Sequence, residues 1–162
     1  MNSVYLLTGG NVGDRSGNLL AASNHINGLC GPVVKSSAVY ETAPWGNSHQ
    51  PAFLNQVLLV QTGLPARKLL TMLLKIEEIM GRKRKEKYGP RLIDIDLLFF
   101  NSDIIRLPHL QVPHPEMMKR RFVMQPLAEI APEFIHPVLQ LPVKTLLLQC
   151  EDKLDVKKFL VG

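Results

Sequence analysis

The chain has 162 residues, 46% of them hydrophobic and 20% charged, with 19 Lys+Arg against 14 Asp+Glu and a formal net charge of +5. This balance excludes a disordered chain, and the length suits one domain, residues 1–162, with its own core. No apolar run approaches the roughly 18 residues of a membrane span, Met1-Asn2-Ser3 does not open a secretion signal, and two cysteines are too few for a disulfide framework, so a cytoplasmic monomer with Cys30 and Cys150 as buried thiols is expected.

Val4–Thr8 reads as a strand closed by Gly9-Gly10-Asn11-Val12-Gly13. Asp14 is placed to cap a helix carrying Leu19, Leu20, Ala22 and Ile26 and ending near Gly28 or Gly31. Val33 to Tyr40 is rich in β-branched residues and reads as a strand, followed by a turn-rich loop from Thr42 to Pro51. Phe53 to Gln61 reads as a strand with apolar residues on both faces. Pro65 opens a second helix whose stripe is Leu69, Leu73, Ile76 and Met80 and whose cap is Gly81. Ile93 to Phe100 reads as a buried strand interrupted by two acids. Short helices are expected around 116–119, 125–130 and 144–149. The order β-α-β-β-α-β predicts an α+β, ferredoxin-like sandwich with additional short helices and strands, its two main helices on one face of the sheet and the other face left for ligands and loops.

The charge is concentrated. Six basic residues and one acid lie between Arg82 and Arg91, which accounts for the whole net charge, while basic and acidic residues balance elsewhere. A wide positive face for nucleic acid or an anionic membrane is therefore not indicated. A dense local cluster suits a compact polyanion such as a nucleoside triphosphate; the alternative is a solvated loop of like charges.

The acid pair follows at once. Alternate strand residues share a face, so Asp94 and Asp96 point one way and Ile93, Ile95 and Leu97 the other, with the two acid Cα atoms about 7 Å apart. Carboxylates so spaced can converge on hard cations, and Mg²⁺ takes its remaining ligands from water and phosphate. The alternative is that both acids pair with neighbouring arginines, although acids within so apolar a strand are costly without a purpose. Cations leading into a carboxylate pair make a site for Mg-triphosphate. The P-loop pattern is absent, and Gly9-Gly10-x-x-Gly13 is read as a tight strand-to-helix turn. His114 between two prolines is a candidate phosphate donor, and Lys119-Arg120-Arg121-Phe122 sets cations beside a ring. Trp45, Phe53 and Asn55 supply two flat surfaces and an amide, which suits a planar heterocycle; the alternative for Phe53 is simple core packing.

These residues resemble the 6-hydroxymethyl-7,8-dihydropterin pyrophosphokinase family over nearly the whole chain. The matching stretches are Thr8-Gly9-Gly10-Asn11 with Gly13-Asp14, Tyr40-Glu41-Thr42 with Pro44, Phe53-Leu54-Asn55, Gly81-Arg82 with Arg84, Gly89-Pro90-Arg91-x-x-Asp94-x-Asp96-Leu97, Val112-Pro113-His114, and Arg120/Arg121-Phe122 with Pro126-Leu127. The resemblance implies pyrophosphoryl transfer from ATP to the pterin hydroxymethyl group, with AMP leaving, in folate biosynthesis. It implies two Mg²⁺ ions held by Asp94 and Asp96. Arg82 and Arg91 join those acids as catalytic residues, and Glu77, Arg82, Arg84, Arg91, His114 and Arg120 (or Arg121) bind ATP. The pterin is expected among Asn11, Thr42, Pro44, Phe53, Asn55 and Phe122. Lys87-Tyr88 and Pro115 depart from the family pattern, where Arg-Trp and an aromatic are common. Two other readings are a ferredoxin-like nucleic-acid-binding protein, for which the expected aromatic strand pattern is missing, and another Mg-dependent nucleotidyltransferase, which would release pyrophosphate.

Overall fold

The computed structural model describes residues 1–43, 49–81 and 92–160. In chain order these hold β1 (Asn2–Gly10), α1 (Arg15–Leu29), β2 (Val33–Ser36), β3 (Tyr40–Thr42), β4 (Phe53–Thr62), α2 (Ala66–Ile79), β5 (Asp94–Phe100), β6 (Ile105–Leu107), β7 (Leu110–Val112), α3 (Arg121–Ile130), α4 (Val143–Leu148) and β8 (Val156–Lys158), with a 3-10 turn at Met117–Lys119. Among them, β5-β1-β4-β3-β8 form one antiparallel sheet, β2 also pairs with β4, and β6-β7 make a separate hairpin. This is the expected ferredoxin-like α+β arrangement.

Local chemistry accounts for the main elements. Asp14 caps α1 by accepting from the Gly17 amide. Leu19, Ala22 and Ile26 are buried along that helix, but Leu20 is 64% exposed and does not belong to the stripe. In α2 the predicted Leu69, Leu73 and Ile76 are fully buried, and Gly81 beyond its end has φ +93°, a conformation that favours glycine. These side chains pack with Val4, Leu6, Leu54, Leu58, Ile93, Ile95 and Leu97 on one face of the sheet.

Three expectations change. The strand expected from Val33 to Tyr40 divides into β2 and β3, because Ser37 turns its hydroxyl to the ladder and accepts from the Val57 amide. The third helix begins at Arg121, earlier than expected, and carries Pro126 inside it. The second face of the sheet is not left free along its length. Tyr5, Leu7, Val57, Leu98 and Phe99 make it apolar at one end, and residues of α3 and α4 cover them.

A register shift opposite Tyr5/Leu6 breaks the alternation of β5. Leu98 is the extra residue, so Leu98 and Phe99 both join the α3 side and Phe100 turns to the α1/α2 side. The carbonyl of Leu98 accepts from the His114 amide at 3.0 Å. The bulge thus docks the segment after β7 beside the acid-bearing half of β5.

Candidate functional site

Strand register assembles the site. Asp94 faces Gly9, Gly9 faces Asn55, and Asn55 faces Tyr40, making one row across four strands. Directly opposed residues share a face, so Asp94 and Asp96 lie on the same side of the sheet as Asn55, Phe53 and Thr42. That side also carries Leu7, opposite Asp96. The expectation that the two acids share a face and that Ile93, Ile95 and Leu97 occupy the other therefore holds. Gly9 is essential to the row: a Cβ there would run into Asn55 Oδ1. The Asn55 amide is thus laid over β1, toward the acids.

Four of the buried polar residues, Asn11, Thr42, Asn55 and Glu77, belong to the segments meeting at this end of the sheet. Asn11 donates to Gln50 Oε1 at 2.7 Å and to the Pro51 carbonyl at 2.9 Å, tying the glycine turn to the loop before β4. Thr42 Oγ1 is buried with no hydrogen-bond partner. Glu77 is 3% exposed, and its Oε2 accepts from the Ile95 amide at 2.7 Å. Ile95 sits between the two acids, so a carboxylate from α2 holds the outer edge of β5 there.

His114 lies close enough to feel Asp96, Arg120 and Glu116. Burial lowers its pKa most; Asp96 opposes that, Arg120 adds to it, and Glu116 opposes it. Its Nδ1 accepts from the Glu116 amide, so the neutral ring carries its proton on Nε2, a single donor for an anion. Phe122 is the second residue of α3, and the Arg120 guanidinium lies 5.9 Å from its ring centroid. Arg121 is engaged elsewhere, donating to the carbonyls of Asp152 and Cys150. Arg120, not Arg121, is therefore the cation on the His114 side.

Asp94, Asp96, His114 and Glu77 are brought together around β5, and Asn11, Thr42, Phe53 and Asn55 around the adjoining ends of β1, β3 and β4. Arg82, Arg84, Lys87, Arg91, Pro44 and Trp45 lie outside the described residues. Among the described residues no group of three or more His, Cys, Asp or Glu is placed to hold a metal ion alone. A pair of carboxylates on one face nevertheless fits Mg²⁺, which fills its shell with water and phosphate oxygens. Gln50, Asp152 and the carboxylate contact at Ile95 were not legible as site features; only their distant hydrogen bonds reveal them.

The model of the 7,8-dihydro-6-hydroxymethylpterin-pyrophosphokinase (HPPK) family matches residues 5–132. The chain is 44% identical over 144 residues to a 2-amino-4-hydroxy-6-hydroxymethyldihydropteridine pyrophosphokinase of Aquifex aeolicus, covering 89% of each chain. It is 41% identical over 130 residues to the Bacillus subtilis protein of that name, covering 80% of this chain and 78% of the other. It is 40% identical over 140 residues to the folic acid synthesis protein FOL1 of Dictyostelium discoideum, spanning 86% of this chain but 21% of that longer one. The fold is shared with the crystal structure of Plasmodium falciparum HPPK-DHPS, at a TM-score of 0.75 and 18% identity over 91% of this chain and 42% of that one.

Proposed function

Since the chain belongs to the 7,8-dihydro-6-hydroxymethylpterin-pyrophosphokinase family, we propose that the face bearing Asp94, Asp96, Asn55 and Thr42 is where its two substrates meet. The reaction is pyrophosphoryl transfer from ATP to hydroxymethyldihydropterin in folate biosynthesis, and the protein is a diphosphotransferase. The observation that carries the assignment is the row Asp94–Gly9–Asn55 with Asp96 two residues along β5, which sets two carboxylates and a buried amide on one face.

In this reading the pterin lies between Phe53 and Phe122, with Asn55, Thr42, Asn11 and Pro44 around its edge. The partnerless Thr42 hydroxyl supports it, since a buried polar group without a partner is costly and a ring-edge donor or acceptor relieves that cost. Asp94 and Asp96 would hold two Mg²⁺ ions, which would supply charge neutralisation at the phosphates and favour ionisation of the pterin hydroxyl. His114 Nε2–H and the Arg120 guanidinium donate to phosphate oxygens, joined by Arg82, Arg84 and Arg91, and Glu77 lies toward the nucleoside. Catalysis is by orientation and charge neutralisation: the hydroxyl attacks the β-phosphorus in line and AMP departs. Nucleic acid is disfavoured as a partner because the two acids lie on the sheet face it would need. No helix among the described residues is long and apolar enough to cross a membrane.

The test is an assay with hydroxymethyldihydropterin, ATP and Mg²⁺, resolving the nucleotide products. AMP together with a pterin diphosphate is the expected result. Release of pyrophosphate with nucleotide attached to the acceptor would overturn it in favour of nucleotidyl transfer.

A further inference from the structure

The strongest feature outside the site is the end of the chain, residues 150–159, which lies beyond the part matched by the family model. It touches both walls of the pterin pocket read above. On one side β8 pairs with β3, setting Val156 opposite Thr42 and Lys158 opposite Tyr40, and the Phe159 amide donates to the Val39 carbonyl at 2.8 Å. On the other side it meets the first turn of α3. Arg120 occupies the position before that helix and offers no side-chain cap. The first turn carries no acidic residue, and Lys119, Arg120 and Arg121 place positive charge at the end of the helix where it opposes the dipole. Asp152 supplies the missing acceptor from 31 residues away: its Oδ2 accepts from the Arg121 amide at 3.0 Å. Its Oδ1 accepts from the Leu154 amide at 3.0 Å, so one carboxylate joins the start of α3 to the approach to β8. The Arg121 side chain doubles the link, donating through Nε to the Asp152 carbonyl at 2.9 Å.

We propose that Asp152 is a positioning residue for pterin binding: it caps α3 in trans and, through the same strap, fixes Phe122 relative to Thr42, while the Arg120 amide is held separately by the Met117 carbonyl at 3.2 Å. This rests on the pterin assignment made above. The residues that meet the pterin are Phe122 and Thr42; the Asp152 carboxylate accepts from the backbone amides of Arg121 and Leu154 and acts through them. The far end of α3 is tied to β3 independently, by Glu129 accepting from the Tyr40 hydroxyl and the Ala38 amide. Loss of Asp152 therefore frees one end of the helix rather than the whole of it.

The experiment compares Asp152→Ala, Asp152→Asn and Arg121→Ala in the full chain, measuring KM for each substrate, kcat and thermal unfolding. Loss of a helix cap predicts that Asp152→Ala raises the pterin KM about threefold to tenfold while the ATP KM stays within about twofold. Asp152→Asn, which keeps an acceptor for one of the two amides, should recover part of that loss. Arg121→Ala keeps the Asp152–amide bond and should fall between wild type and Asp152→Ala. A folded Asp152→Ala with an unchanged pterin KM, or with both KM values raised alike, overturns the proposal. If Asp152→Ala does not fold, Asp152→Asn and Arg121→Ala decide it by the same split. Absence of pyrophosphoryl transfer to hydroxymethyldihydropterin by the unsubstituted protein would instead overturn the functional reading beneath it.

Discussion

At Gly9 the missing side chain matters because Asn55 fills the space where it would be. Gly9→Ala should fold, since the nearest obstructing atom belongs to the Asn55 side chain, which can swing away, and the Leu54 carbonyl at 3.2 Å must yield only slightly. The swing removes the amide from the pterin edge, so the pterin KM should rise about tenfold or more while the ATP KM holds, as expected when a buried hydrogen-bonding site loses its partner. An unchanged pterin KM would mean that Asn55 does not read the ring. Asp96 makes a stronger demand. It is half-buried on the substrate face, and in the proposed site it binds metal directly. Asp96→Ala should remain folded and lose at least about 10²-fold in kcat, because charge stabilisation developed in the transition state is lost. Steady-state turnover near the wild-type rate would remove Asp96 from the metal site.

At the scale of elements, the placement of β5 depends on contacts from other parts of the chain. Its edge is held by Glu77 from α2 at Ile95 and by the His114 amide at Leu98. Glu77→Ala leaves the Ile95 amide without that acceptor and should cost about 1–3 kcal/mol, readable by urea unfolding. Glu77→Gln retains an oxygen for the amide and should cost less; equal losses would show that the carboxylate charge, not the hydrogen bond, holds the strand. The elements also show where pattern reading works. The α2 stripe follows from a 3.6-residue period, and the alternation of Asp94 and Asp96 against Ile93 and Ile95 follows from a period of two. The division between β2 and β3 and the bulge at Leu98 do not follow from any period. Each arises where a group from a distant segment replaces a ladder partner: the Ser37 hydroxyl at Val57, the His114 amide at Leu98.

At the scale of the molecule, His136 couples stability to pH. It is 2% exposed, its Nδ1 accepts from the Val138 and Leu139 amides, and its ring meets Phe99 edge-on at 5.5 Å. Burial lowers its pKa in the folded state, so the unfolded chain takes up the proton first as pH falls. Its contribution is present above the ordinary histidine value of about 6.5 and is lost as pH drops below it toward the folded value. His136→Asn, whose carbonyl oxygen can accept from the same amides, should flatten the unfolding free energy between about pH 6.5 and 5 relative to wild type. Parallel curves for the two proteins would place the acid sensitivity elsewhere.

Read alone, the sequence determined the order of the principal elements, the shared face of Asp94 and Asp96, the cationic segment before them and, through its ordered motifs, the family. These are local properties, set by side-chain period, turn chemistry and composition. Only the tertiary structure decided that Gly9 makes room for the Asn55 amide, that Glu77 secures the strand bearing the acids, and that Arg121 belongs to the strap while Arg120 stands beside His114. Each of these depends on which distant backbone groups need a partner, and that is defined only once the strands have taken their register.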